Sequence, residues 1–354
     1  MSRLFTAIRL RSVEIPNRAW ASPMCQYSAD GAGTPTPWHL VHLGRLALGG
    51  AGAVLTEATA VSPEGRISAD DTGLWHDRHA EAWEPIVAFV AGQGAVPGIQ
   101  LAHAGRKGST TAPWTGGGHD QERGWVTVGP SPVAFGQLPA PHELDEAGMA
   151  RIRDDFAAAA RRAAAVGFRI AEVHAAHGYL LHQYLSPLSN HRSDSYGGDL
   201  EGRMRFPLEV VAAVRDAWPE ELPLLVRVSA TDWAEPGEGW ELEDTIELAG
   251  RLSGLGVDLV DCSSGGTLPK APIPVGPGYQ VPFASALRAK AGLPTGAVGM
   301  ITEANQAEQI LAGEDADVVL LARALLRDPE WPHRAASALG DEVPWPVQYL
   351  RARP

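Results

Sequence analysis

His174 and His177 place two imidazoles three residues apart, and Tyr179 adds a phenol two residues further on. Such a trio offers hydrogen-bond donors and a weak acid in one short stretch, a set suited to holding a substrate oxygen and delivering a proton. The same histidine pair also suits a metal half-site or a structural pair. A hydrolytic zinc barrel needs further His or carboxylate ligands, typically with a His-x-His on an early strand. Ala19, Trp20, Ala21 and Ser22 carry none, while His103 and Asp261 are the residues that would complete a metal set. A metal-dependent hydrolase therefore stands as an alternative.

Other chemistry-bearing residues close short apolar runs. Arg227 sets a fixed charge at the end of one, and a buried unpaired guanidinium calls for an anion or a strongly polarised partner. A reduced flavin is such a partner, because negative charge develops on its pyrimidine edge and a nearby cation stabilises it. Gln100 would hydrogen-bond the same edge. Cys25 is placed to approach such a ring, whereas Cys262 reads as buried core. Gly299 and Arg323 mark the corner where barrels hold phosphate on exposed backbone N–H groups. Arg323 adds a bidentate donor there, with Ser263 and Gly265 beside it; its alternative partner is a surface acid such as Asp328. A Schiff-base mechanism wants Lys at a strand end, and Lys107, Lys270 and Lys290 do not stand at one.

The elements that position these residues repeat. Eight short apolar runs, at 18–24, 53–57, 98–101, 170–174, 224–228, 259–262, 295–299 and 318–321, read as strands of a parallel sheet covered on its outer face. Amphipathic stretches at 149–166, 242–252 and 304–311 are long enough for crossover helices, and Gly167, Gly256 and Gly292 sit where helices should end. No G-x-G-x-x-G follows the first run, as an open dinucleotide-binding sheet would want. The expected fold is α/β, a single (β/α)8 TIM barrel over residues 1–354. Residues 102–144 form one long, Gly-, Pro- and Trp-rich connection after the third strand, expected as a lid, with a disordered insertion as its alternative.

Composition narrows the classes. The 354 residues are 45% hydrophobic and 20% charged, and 42 acids against 29 bases give a net charge of −13. There is no global basic field for nucleic acid or an anionic membrane. Two cysteines exclude a disulfide framework and a four-thiolate iron–sulfur cluster supplied by this chain. The N-terminal apolar stretch is broken by Arg9, Arg11 and Glu14, so no signal peptide and no bilayer span is expected, and the location is expected to be cytoplasmic.

Several ordered stretches then carry a resemblance: 22–27 (SPMCQY), 100–107 (QLAHAGRK), 172–179 (EVHAAHGY), 185–192 (LSPLSNHR), 195–198 (SYGG), 296–302 (GAVGMIT) and 321–329 (LARALLRDP). Over nearly its whole length the chain resembles the old yellow enzyme family of FMN-dependent ene-reductases, most of all the bacterial thermophilic-like and xenobiotic reductase subgroup. The resemblance implies tightly bound, non-covalent FMN, NADPH as co-substrate, and activated alkenes as oxidants. It implies that Ser22, Pro23, Met24, Cys25, Ala58, Gln100 and Arg227 hold the isoalloxazine ring. Ser263, Gly299, Met300, Ala322 and Arg323 are implied at the phosphate, where Ala322 replaces a frequent Gly. His174 and His177 are implied to bind the activating oxygen, Tyr179 to donate the proton, and Tyr27 to line the pocket. The tail at 341–354 resembles one whose Arg, here Arg351, enters a neighbouring subunit's site in a homodimer or homotetramer. Residues 112–125 are longer than in shorter members and resemble the xenobiotic-reductase type. A non-catalytic flavin-binding barrel is the remaining alternative.

Overall fold

Each of the eight apolar runs yields a strand that is buried along its whole length, which suits parallel pairing with helices outside. In the computed structural model, which describes residues 2–353, the strands are β1 (Ala19–Ala21), β2 (Ala53–Ala60), β3 (Val96–Ala102) and β4 (Ile170–Ala175). They continue as β5 (Leu224–Ser229), β6 (Leu259–Ser263), β7 (Thr295–Ala297) and β8 (Val318–Leu321). They pair in sequence order and β8 pairs β1, closing the barrel.

The strand ends depart from the sequence reading at three places. β1 stops at Ala21 because Pro23 lacks the N–H that a ladder needs, and the chain leaves the sheet there. β2 runs on to Ala60 through a register shift between Leu55 and Ala58, a bulge that re-aims Glu57. β7 ends at Ala297, so Gly299 and Met300 lie in the turn beyond it with φ of +119° and +51°.

Among the helices that cover the barrel, α1 (Pro37–Leu48), α2 (Asp77–Gly92) and α3 (Glu146–Val166) follow the first three strands. The Asp145 carboxylate accepts from Gly148 N at 2.7 Å and starts α3, and Gly167, at φ +102°, ends it. Gly292 ends its helix in the same left-handed way, while Gly256 comes one residue after a Leu255 cap.

Two segments lie outside the repeat. At the N-terminal end of the barrel, a hairpin (Ile8–Leu10 with Val13–Ile15) is pinned by Arg11 Nε to Asp258 Oδ1 at 2.7 Å. Residues 342–348 border a cavity of about 380 Å³ with Asn17, Gly50 and Gly94, which immediately precede β1, β2 and β3. The 102–144 excursion is not structureless. It carries 3-10 turns at Gly105–Lys107 and Pro113–Thr115, and Val128–Gly129 pairs with His142–Glu143. Among the described residues no helix is long and apolar enough to cross a membrane.

Candidate functional site

The loop leaving β4 gathers the sequence's first trio. His174 is the fifth residue of β4, and its ring centroid lies 5.2 Å from those of both His177 and Tyr179. His177 adopts φ +59°, a conformation unusual for a non-glycine residue and held here by its surroundings. Its N–H donates to Ser229 Oγ at 2.9 Å, whose hydroxyl donates on to Gly265 O. Gly178 follows at φ +71°; a Cβ there would meet Gly266 O at 2.2 Å, so only glycine lets the two loops approach. The Gly178 N–H donates to His182 Nδ1 at 2.9 Å, leaving His182 Nε2 to face Asp232 Oδ1 at 3.1 Å. That pairing holds the Asp232 carboxyl down at about 2, against the upward pull of its burial.

Burial sets the protonation states of the trio. It lowers His174 and His177 well below the ordinary imidazole value and lifts Tyr179 well above the ordinary phenol value. Around neutral pH the cluster therefore presents two neutral imidazoles and a protonated phenol. Ser263 Oγ lies 2.6 Å from His177 Nε2 and 3.4 Å from Gln280 Oε1, so it sits between the imidazole and the amide. His174 Nδ1 is buried without a partner.

Lys107 also belongs to this cluster. The Gly105–Lys107 turn carries its ammonium 2.7 Å from His177 O, 3.0 Å from Gly266 O and 5.1 Å from the Tyr179 ring. Burial lowers it to about 8. Spacing in the sequence did not place it, because the turn that brings it back to the barrel mouth is not written in any periodicity.

The segment after β1 brings the next set. Ser22 is buried with its hydroxyl unpartnered, and Pro23, Met24 and Cys25 are half-buried beyond it. Cys25, Tyr27 and Tyr179 pack against Ala58, Ile67, Ala102 and Ala104. Burial raises the Cys25 thiol far above its usual value, so it remains protonated. The bulged Glu57 anchors this segment: its Oε2 accepts from Gln26 N at 2.8 Å and its Oε1 lies 2.9 Å from His39 Nε2. Thr36 N donates to His39 Nδ1, so the Nε2 proton faces the carboxylate. Trp114, from the glycine-rich part of the excursion, meets Tyr27 edge-on at 5.6 Å.

At the other side of the barrel mouth, Ser263, Gly299, Met300, Ala322 and Arg323 border a cavity of about 250 Å³. Protein donors take the carbonyls of its turn: Gly278 N reaches Gly299 O at 3.0 Å and Gln306 Nε2 reaches Met300 O at 3.2 Å. The N–H groups of Gly299, Met300 and Arg323 find no acceptor among the described residues. A Cβ on Gly299 would come within 2.8 Å of Gln280 Nε2, and Arg323 is exposed with no ion-pair partner among the described residues. Free N–H groups, a cation and a cradle without side chains suit a phosphate. With the unpartnered Ser22 hydroxyl and the side chains of Gln100 and Arg227, the donor set fits the FMN that the resemblance implies.

Several residues singled out in the sequence find partners within the chain. Arg227 is not without an internal partner: its Nε lies 3.0 Å from the buried Asp261 Oδ2, because the parallel register sets those two residues side by side. Gln100 donates its amide to Glu172 Oε1 at 2.7 Å. Ser263 borders the phosphate cavity but is already engaged by His177. Asp328 pairs with Arg334, not with Arg323. His103 accepts from Gly105 N, and no three metal-ligating side chains converge among the described residues. Arg351 is exposed on a 3-10 turn (Val347–Ala352) following the segment packed at the N-terminal end of the barrel. Within one chain it therefore stands apart from the histidines.

Comparison with known proteins agrees with this architecture. Residues 3–342 match the NADH:flavin oxidoreductase / NADH oxidase family. The chain is 43% identical over 351 residues to an NADPH dehydrogenase of Halalkalibacterium halodurans, covering 99% of this chain and 98% of that one. It is 44% identical over 351 residues to an NADPH dehydrogenase of Bacillus subtilis, with the same coverage. Among solved structures it is similar to morphinone reductase, with a TM-score of 0.80 and 28% identity over 98% of this chain and 91% of that one.

Proposed function

The chain belongs to the NADH:flavin oxidoreductase / NADH oxidase family, and we propose that it reduces α,β-unsaturated carbonyl and nitro compounds with NADPH as reductant. It is an oxidoreductase of the NADPH dehydrogenase type, with FMN as its cofactor. Bound FMN would supply the hydride-transfer chemistry that side chains lack, linking NADPH to the β-carbon of the alkene in separate encounters.

Ser22, Pro23, Met24, Cys25, Ala58, Gln100 and Arg227 would hold the flavin ring. Gly299, Met300, Ala322 and Arg323, with Ser263 at their edge, would hold its phosphate. His174 and His177 hydrogen-bond the carbonyl or nitro oxygen, stabilising the negative charge that gathers there as the β-carbon is reduced. Tyr179 gives its phenolic proton to the α-carbon. Tyr27 lines the same pocket. Both substrates use it in turn, which gives ping-pong kinetics. The excursion at 102–144 roofs the pocket, and Arg351 enters a neighbouring copy's pocket in a homodimer or homotetramer.

One observation carries this reading: the neutral imidazoles of buried His174 and half-buried His177 cluster with the protonated phenol of half-buried Tyr179, the His174 ring centroid 5.2 Å from each of the others. A non-catalytic flavin-binding barrel would have no use for a phenol and two neutral imidazoles gathered at the same mouth. Tyr179→Phe tests it through the two half-reactions. Reduction by NADPH should proceed as before, while reoxidation by alkene should slow by about 10²–10⁴-fold. Loss of the NADPH half-reaction instead would refute the assignment of Tyr179.

A further inference from the structure

Behind Gln100 and Arg227 lies a sealed layer that the proposed reaction leaves unused. Glu172 and Asp261 are both fully buried, and Arg227 and Gln100 are nearly so. Glu172 stands beside Gln100 in the register of β3 and β4, and Asp261 beside Arg227 in that of β5 and β6. Gln100 Nε2 donates to Glu172 Oε1 at 2.7 Å, and Arg227 Nε lies 3.0 Å from Asp261 Oδ2. Glu172 Oε2 has no hydrogen-bond partner, and Asp261 meets Arg227 as a close ion pair without hydrogen-bond alignment.

The charges in this layer do not balance. Two carboxyl groups face one guanidinium, and Asp261 is the one against it. An ionised Glu172 would be a second buried negative charge with only an amide as donor, which desolvation strongly disfavours. The other groups facing Glu172 are few: β3 offers the uncharged Gln100, β5 Arg227, β6 Asp261, and its own strand the neutral His174.

We propose that Glu172 is a positioning residue that holds a proton in the oxidised enzyme and retains it as the bound flavin is reduced. This rests on the reading that FMN sits against Gln100 and Arg227. Burial, with Asp261 adding to it, moves the Glu172 carboxyl up to about 8. Above that pH Glu172 is ionised in the oxidised enzyme. Negative charge arriving beside Arg227 then draws a proton from solvent onto the Glu172 carboxylate, while NADPH supplies the two electrons.

The test is the midpoint potential of the bound FMN between about pH 6 and pH 10, in the wild type and in Glu172→Gln. The wild type should take up one additional proton per two electrons in a window opening near pH 8. Glu172→Gln should lack that window and hold a higher potential than the wild type above it. Identical curves would overturn the proposal. Should Glu172→Gln fail to fold, infrared titration of the wild-type holoenzyme decides: a buried protonated-carboxyl band should be present at neutral pH and vanish through about pH 8. Absence of that band at neutral pH overturns the proposal as well. A chain that takes up no FMN removes the flavin reading itself, whereas bound FMN with coincident curves removes only the role of Glu172.

Discussion

The corner after β4 and the corner after β7 and β8 are built in opposite ways. In the first, polar groups are turned on one another: His177 on Ser263 and Ser229, Lys107 on two carbonyls, His182 on Asp232. In the second, the turn's carbonyls are satisfied from within, while its N–H groups and Arg323 are left facing a cavity. One corner is arranged before any ligand arrives, as a site must be if it is to meet charge that exists only during reaction. The other keeps its donors free for a ligand that stays. Substitutions in the first should therefore appear in rates, and in the second in cofactor affinity.

The largest expected effect falls in the arranged corner. His174→Ala should lower alkene turnover by about 10²–10³-fold while FMN remains bound, read by single-turnover reoxidation. If FMN were lost instead, the two corners would not be separable. Next comes Arg323→Ala, which removes a charge-assisted donor and should weaken FMN binding by about 10–100-fold in a fluorescence titration. The same affinity in the variant would show that the cavity is not the phosphate site. Gly299→Ala forces a Cβ into a left-handed turn and against Gln280, and should cost about 1–3 kcal/mol in chemical unfolding.

The smallest effect is a pH dependence. His174 and His177 are held well below 6.5 in the folded chain, so neither gains a proton as pH falls through that value. The alkene half-reaction should show no imidazole inflection there. Stability behaves differently: the unfolded chain takes up those protons near 6.5, so folding weakens as pH falls through that range. An inflection of the half-reaction near 6.5 would mean that an imidazole of the cluster titrates like an exposed one.

The two corners were also unequally legible in the sequence. Chemistry at strand ends can be read along the chain, and His174, His177, Tyr179, Gly299 and Arg323 are all of that kind. Residues that act through pairing across the barrel cannot be read so. Asp261 meets Arg227 only because the parallel register aligns them, and Glu57 turns toward His39 only because β2 bulges. Lys107 reaches the cluster through a 3-10 turn with no periodic signature. Ser263 borders the phosphate cavity and also meets His177, so it lies between the corners, a placement that strand-end reading does not reveal. The strands were legible because burial on both faces writes continuous apolar runs, whereas their ends shifted with Pro23 and with the turn at Gly299.

The central claim is that one pocket binds FMN and uses it to move electrons from NADPH to an activated alkene. An absorbance spectrum of the purified protein, followed by anaerobic NADPH and then cyclohexenone, tests it most directly. The flavin bands should be present or appear on adding FMN, bleach with NADPH, and return with the enone. A colourless protein that takes up no FMN, or a bleached flavin that cyclohexenone leaves bleached, would contradict it.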